Sequence, residues 1–162
     1  KSSLINAITG RSALARVSHT PGRTRQINFF NLGARVMLVD LPGYGYAKAS
    51  KAMTAEWNLL ITTYLRGRPS LRRVVLLVDS RRGIMDSDEE VLTLLDQAAM
   101  STLVTLTKSD EMKPAELKNV VAETEAKAAK HTAAYPEIFV TSSHEKRGLD
   151  PLKVNLLLLA EA

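Results

Sequence analysis

Two short runs, Val74-Val75-Leu76-Leu77-Val78 and Leu103-Val104-Thr105-Leu106, constrain this chain more than any other feature. A strand wetted on one face alternates apolar and polar residues. These runs do not alternate, so they suit strands of a parallel sheet covered on both faces. Parallel strands need crossover connections, and the sequence supplies helices between them. Residues 86–97 carry Val91, Leu92, Leu94 and Leu95 as an apolar face behind Asp86 and Glu89, a pair with capping-box spacing. Pro114 suits the first turn of an alanine- and lysine-rich helix that runs to about residue 130. Residues 138–141 read as the last strand and residues 149–160 as the last helix. Upstream, residues 26–31 and 35–40 read as antiparallel strands linked by Leu32-Gly33-Ala34. Residues 52–66 place Met53, Trp57, Leu60, Ile61, Tyr64 and Leu65 at helical spacing, with Gly67 and Pro69 as the stop. The predicted class is α/β, with helices on both faces of a mostly parallel sheet and one antiparallel strand.

At 162 residues the chain is expected to form one domain with a sizeable core. It has no cysteine, and therefore neither a disulfide framework nor a thiolate metal site. The apolar run at residues 156–160 is too short to cross a bilayer, and no targeting segment is visible. A monomer in the cytoplasm without a membrane partner is expected. The net charge of +5 and pI near 9.6 suit a polyanionic partner. Arginines gather at Arg23/Arg25, Arg66/Arg68, Arg72/Arg73 and Arg81/Arg82, where they could fork onto RNA phosphates or simply cap solvated helix and loop ends.

Ligands of a parallel sheet lie outside the carboxyl ends of its strands. Several polar fragments fall at that edge. Thr107-Lys108-Ser109-Asp110 follows a buried strand, and a carboxylate there can accept from the N1–H and 2-amino group of guanine, donors that adenine lacks. Lys108 would lie along the base plane. By itself such a tetrapeptide also fits a solvated charged turn. Lys1-Ser2-Ser3 looks like the tail of a phosphate-binding loop that opens a helix, whose lysine meets the β- and γ-phosphates while the next hydroxyl binds Mg²⁺. Thr20-Pro21-Gly22-Arg23-Thr24 could fold over phosphates and offer a hydroxyl to the metal. In Asp40-Leu41-Pro42-Gly43 the aspartate can hold a metal-bound water and the glycine amide can donate to the γ-phosphate. Thr141-Ser142-Ser143 could cradle the base from below. Each fragment alone also reads as an ordinary turn; their common edge and order raise the joint reading.

With Thr9-Gly10-Arg11, Ile27-Asn28-Phe29-Phe30, the run from Asp40 through Tyr44-Gly45-Tyr46-Ala47-Lys48, and Asp79-Ser80-Arg81-Arg82-Gly83, essentially the whole chain resembles the EngB/YihA/YsxC family. These are bacterial ribosome-assembly proteins among the translation-factor-related P-loop GTPases. The resemblance implies GTP or GDP with Mg²⁺ as ligands, and Lys1, Thr24 and Gly43 as the catalytic contacts. It places Lys1 at the phosphates, Ser2 and Thr24 on Mg²⁺, Asp40 on the metal through water, and Ser3 on the α-phosphate side. Gly22, Arg23, Thr24, Arg25 and Gln26 fall in the first switch, and Asp40, Leu41, Pro42 and Gly43 at the γ-phosphate. Thr107, Lys108, Ser109 and Asp110 form the base loop, with Thr141, Ser142 and Ser143 behind it and Ser109 turned away from the base. The implied partner is the large ribosomal subunit or its precursor, through rRNA and ribosomal protein, with a role in cell division and septation.

Such a domain has a first strand and a glycine-rich loop before its lysine, and neither is in this sequence. The expectation is therefore a single GTP-binding domain over residues 1–162, truncated at its amino terminus. If these residues are all that is present, weak nucleotide binding is expected, and tight GTP binding in a calorimetric titration would refute that. Tyr44 stands where Ras-type enzymes carry a water-orienting glutamine, so hydrolysis is expected to be slow and helped by a partner or by K⁺. Tyr44, Tyr46 and Lys48 would lie on the second switch. Trp57 reads as core with no aromatic neighbour, and His131 and His144 as surface residues; His19, in the first switch, has no evident catalytic role. One alternative is a P-loop-derived scaffold for ribosomal RNA or protein that has lost turnover. Another, an ATP-using enzyme of the same layered fold, is disfavoured by Asp110.

Overall fold

A computed structural model describes residues 1–11, 27–45 and 50–161. Its elements are α1 (Ser2–Thr9), β1 (Asn28–Leu32), β2 (Val36–Asp40), α2 (Lys51–Gly67), β3 (Val74–Asp79), α3 (Asp86–Gln97), β4 (Thr102–Thr107), α4 (Pro114–Ala128), β5 (Phe139–Val140) and α5 (Leu149–Leu158). A short 3-10 turn, Ser109–Glu111, follows β4.

Strands β3, β4 and β5 form a parallel sheet in that order, with Val74 opposite Thr102, Asp79 opposite Thr107 and Thr105 opposite Phe139. The central strand β4 is covered on all sides, which is why its run needs no polar alternation: residues 102–106 are all buried. The pleat still sorts the side chains. Leu76, Val78, Val104 and Leu106 meet Ile61, Leu65, Val91, Leu92, Leu95 and Ala128 from α2, α3 and α4. Val75, Leu77, Leu103 and Phe139 meet Leu4, Ile8, Leu149, Leu152 and Leu156 from α1 and α5. Two apolar layers thus clamp one sheet, each buried leucine contributing about 1.5–3 kcal/mol relative to exposure.

Strands β1 and β2 form a separate antiparallel ribbon, Asn28 opposite Asp40 and Leu32 opposite Val36. Asn31 Oδ1 accepts from Ala34 N at 2.8 Å and closes the link. Leu32 and Leu38 pack on the α1–α5 cluster. Among the described residues, parallel pairing lies within β3–β5 and antiparallel pairing within the ribbon, apart from two isolated bridges, a parallel one between Thr102 and Ala134 and an antiparallel one between Ser142 and Arg147.

Local details depart from expectation. The first residue before α3 is Met85, and its N–H donates to Asp88 Oδ2 at 2.8 Å. The cap carboxylate is therefore Asp88, not the Asp86 and Glu89 pair. Helix α2 starts at Lys51, with Ser50 Oγ accepting from Met53 N at 3.2 Å, and of its apolar positions Met53 and Leu60 are exposed while Ile61 and Leu65 are buried. Its fully buried residues lie in its second half, with the partly buried Trp57 packed beside them. His131 is not a free surface residue: its ring is 10% exposed, with Nδ1 at 2.7 Å from Asp96 Oδ2 and Nε2 at 2.7 Å from Glu89 Oε2. Those carboxylates belong to α3, whose spacing from residue 131 hides the contact in the sequence.

Candidate functional site

The carboxyl ends of β2, β3, β4 and β5 gather the polar fragments at one edge. At one end stands Asp40, the last residue of β2, 7% exposed. Lys1, at the start of α1, brings Nζ to 2.7 Å from Asp40 Oδ1 and donates to the Leu41 carbonyl at 2.6 Å. The contact with Oδ1 is an ion pair without hydrogen-bond alignment, and that oxygen has no hydrogen-bond partner among the described residues. Ser2 is half-buried and Ser3 exposed beside it.

Next come Asp79 and Lys108. Asp79 Oδ1 accepts from the Arg81 backbone N–H and Nε at 3.0 Å each, and Oδ2 accepts from Arg81 Nη2 at 2.8 Å. Lys108 Nζ stands 3.3 Å from the same Oδ2, and Arg81 Nη1 is 2.9 Å from Glu111 Oε2. Burial would raise the Asp79 pKa, but the hydrogen bonds from Arg81 and Lys108 outweigh it and hold the carboxyl well below its ordinary range. Lys108 has φ 57°, in the left-handed region, a conformation most side chains avoid. One carboxylate thus ties the loop after β3 to the loop after β4.

Asp110 stands at the far end. Ser142 Oγ donates to Asp110 Oδ1 at 2.7 Å, a bond between residues 32 apart in sequence, and it lowers the carboxyl pKa, so Asp110 is an ionised acceptor at neutral pH. Ser142 Oγ also accepts from Glu145 N at 3.0 Å. Ser109 is buried and its N–H donates to the Thr141 carbonyl at 3.1 Å. The Thr141 hydroxyl, expected beneath a base, is instead donated to the Leu106 carbonyl at 2.9 Å, so this buried residue holds β5 to β4. Thr107 Oγ1 reaches the Val78 carbonyl at 3.4 Å, and Ser143 is half-buried. Gly148 fixes the geometry behind this loop: at φ 69° it caps the start of α5, and a Cβ there would lie 1.9 Å from the Val140 carbonyl oxygen.

Gly22, Arg23, Thr24, Arg25 and Gln26, with Thr20, Pro21 and His19, lie outside the described residues, as do Tyr46, Ala47 and Lys48. Leu41, Pro42 and Gly43 continue from Asp40, with Pro42 buried and the other two half-buried. Tyr44 packs rather than facing solvent: its ring lies 5.1 Å from that of Trp57, tilted by 58°, and its hydroxyl donates to Asp88 Oδ1 at 2.6 Å. Burial, then the charge and bond of Asp88, push its pKa far up. Trp57 therefore does have an aromatic neighbour, brought from 13 positions upstream by the fold. Sequence reasoning put Asp79 at this strand-end edge without giving it a role, and it missed Asp88 and Trp57 as contributors.

The arginines divide. Arg73 donates to Ser101 Oγ at 3.2 Å and to Asn155 and lies 5.1 Å from the Tyr135 ring, and Arg68 stacks over Phe29 and Tyr64. Arg66, Arg72 and Arg82 are exposed.

Comparison with known proteins agrees with this architecture. The family described as 50S ribosome-binding GTPase matches residues 1–108, and the elongation factor Tu GTP binding domain matches residues 61–161. Proteins named probable GTP-binding protein EngB from Rhodospirillum rubrum and Bradyrhizobium diazoefficiens are each 52% identical, over 99% of this chain and 71% and 75% of theirs. A solved probable GTP-binding protein EngB gives a TM-score of 0.74 at 21% identity, over 99% of this chain and 92% of that one. Era, solved with MgGDPNP and nucleotides of 16S ribosomal RNA, gives 0.73 at 22% identity over 98% of this chain and 52% of that one. The structural likenesses carry the fold, which is the three-layer P-loop GTPase fold. With about half of all positions shared across nearly the entire chain, and the GTPase family matching its first two thirds, this protein belongs to the EngB family of P-loop GTPases.

Proposed function

We propose that this protein is a guanine-nucleotide switch that binds GTP and GDP with Mg²⁺, hydrolyses GTP slowly, and docks in its GTP form on the large ribosomal subunit or its precursor. The observation that carries this reading is the crevice edge itself, with a lysine and a buried aspartate at one end and an ionised, serine-held carboxylate at the other. Asp110 would accept from guanine N1–H and the 2-amino group. Lys1 would exchange Asp40 and the Leu41 carbonyl for phosphate oxygens. The donor set suits Mg²⁺, a hard cation that takes oxygen ligands: the Ser2 hydroxyl, the Asp40 carboxylate through water, and Thr24. When bound, Mg²⁺ neutralises phosphate charge. The Gly43 amide would donate to the γ-phosphate, and Gly22 to Gln26 would cover it.

Tyr44 gives its hydroxyl to Asp88 and so does not orient an attacking water in this conformation. That supports slow turnover, raised by a ribosomal partner or by K⁺. The exposed Arg66, Arg72 and Arg82 support an RNA contact whose affinity falls with salt. We read residues 1–162 as one GTP-binding domain acting as a monomer in the cytoplasm, with a part in cell division and septation. Co-sedimentation of the full-length protein with large-subunit particles tests the switch: binding with a GTP analogue, lost with GDP and weakened by salt, is expected, and binding indifferent to nucleotide refutes it. The Tyr44 geometry also favours a second reading, a scaffold without turnover. Phosphate release that stays absent with particles and K⁺ would establish that reading instead.

A further inference from the structure

The turn after β2 is gripped from two sides by residues outside the nucleotide-contacting set. Trp57 Nε1 on α2 donates to the Pro42 carbonyl oxygen at 2.6 Å. Tyr44 reaches the other way, donating to Asp88 Oδ1 on α3, whose second oxygen is held by the Met85 N–H. Gly45 continues along α3 so closely that a Cβ would stand 2.7 Å from Ser87 Oγ, at φ 75°. The Pro42 carbonyl and the Gly43 N–H belong to one planar, trans peptide group, so they point in opposite directions. Whatever holds the oxygen therefore aims the hydrogen.

We propose that Trp57 is a positioning residue for the terminal phosphate: by gripping the Pro42 carbonyl it sets the direction of the Gly43 N–H, while the Tyr44–Asp88 pair keeps the turn from rotating away. This rests on the reading that the Asp40 to Gly43 turn meets the γ-phosphate. It adds that α2, through one indole, distinguishes a nucleotide that carries that phosphate from one that does not.

Two variants separate this from a structural role. Trp57→Phe keeps a ring beside Tyr44 but has no N–H, and Tyr44→Phe keeps its ring but releases Asp88. In the full-length protein, Trp57→Phe should weaken binding of a non-hydrolysable GTP analogue by roughly three- to tenfold, the worth of one hydrogen bond, while GDP affinity stays within about twofold. Trp57 is the one tryptophan among residues 1–162, and the emission that Trp57→Phe removes from the full-length protein is the signal that reports this contact. Emission should differ between the analogue-bound and GDP-bound forms of the parent, and Tyr44→Phe should shrink that difference. Equal losses for both nucleotides in Trp57→Phe, or identical emission in the two forms of the parent, would overturn the proposal. A parent protein that binds neither nucleotide would overturn the guanine-switch reading beneath it.

Discussion

Replacing Asp110 by asparagine tests the base-reading end of the crevice with the least disturbance to the fold. The residue sits on a short 3-10 turn, and its carboxylate accepts from Ser142 Oγ at Oδ1, 2.7 Å away. Asparagine keeps an oxygen for that serine, so folding stability should move by less than about 1 kcal/mol. Recognition should change far more. An ionised carboxylate accepting from guanine N1–H and the 2-amino group makes two charge-assisted bonds of about 1.5–3 kcal/mol each. The amide retains an acceptor for N1–H but sets its NH₂ against the 2-amino donors, so at least one bond is lost. The expected cost is about 3 kcal/mol, roughly a hundredfold or more in GDP affinity. Xanthine carries a carbonyl at that ring position, which the same NH₂ satisfies, so xanthosine diphosphate should bind the variant better than GDP. Calorimetric titration of both nucleotides into parent and variant, beside thermal melts, gives the answer. A variant that melts like the parent and keeps GDP affinity within about threefold would refute the assignment of Asp110 to guanine.

Other expectations concern the frame around the site. His131 has burial lowering its pKa, but Glu89 and Asp96 outweigh that and raise it above 6.5, so its contribution is complete below that value and is lost as pH climbs through the folded-state pKa. Thermal midpoints above pH 6.5 should fall more steeply in the parent than in His131→Gln, and parallel profiles would argue against it. Gly148→Ala should destabilise by about 2 kcal/mol or more, through the left-handed φ and the clash with the Val140 carbonyl, and an unchanged midpoint would contradict the geometry. Thr105 is fully buried with a hydroxyl that finds no partner among the described residues, so Thr105→Val should stabilise by about 1 kcal/mol in urea unfolding; a lower midpoint would show that the hydroxyl is satisfied.

How much of this was legible depended on the range of the interaction. The runs at residues 74–78 and 103–106 became β3 and β4 because apolar patterning is a local signal that tertiary packing rewards directly. Asp40 and Thr107 to Asp110 fell at strand ends for the same reason. Partners from distant elements were not legible: Ser142 for Asp110, Asp88 for Tyr44, and the two carboxylates around His131 come together only once the layers pack. The cap of α3 moved by one position because backbone geometry, not residue type alone, chooses between neighbouring acids. The half-exposed start of α2 shows the limit of periodicity, which predicts a helix's apolar face but not how far its neighbours extend along it.

The Lys1 ammonium already rests on two acceptors of its own chain, the Asp40 carboxylate and the Leu41 carbonyl. An anion captured there trades places with a resident counter-charge instead of meeting a bare cation. The measured strength of capture is then a difference between two occupied arrangements. Its dependence on ionic strength should be gentler than a lone lysine would show, and removing the Asp40 charge should steepen it.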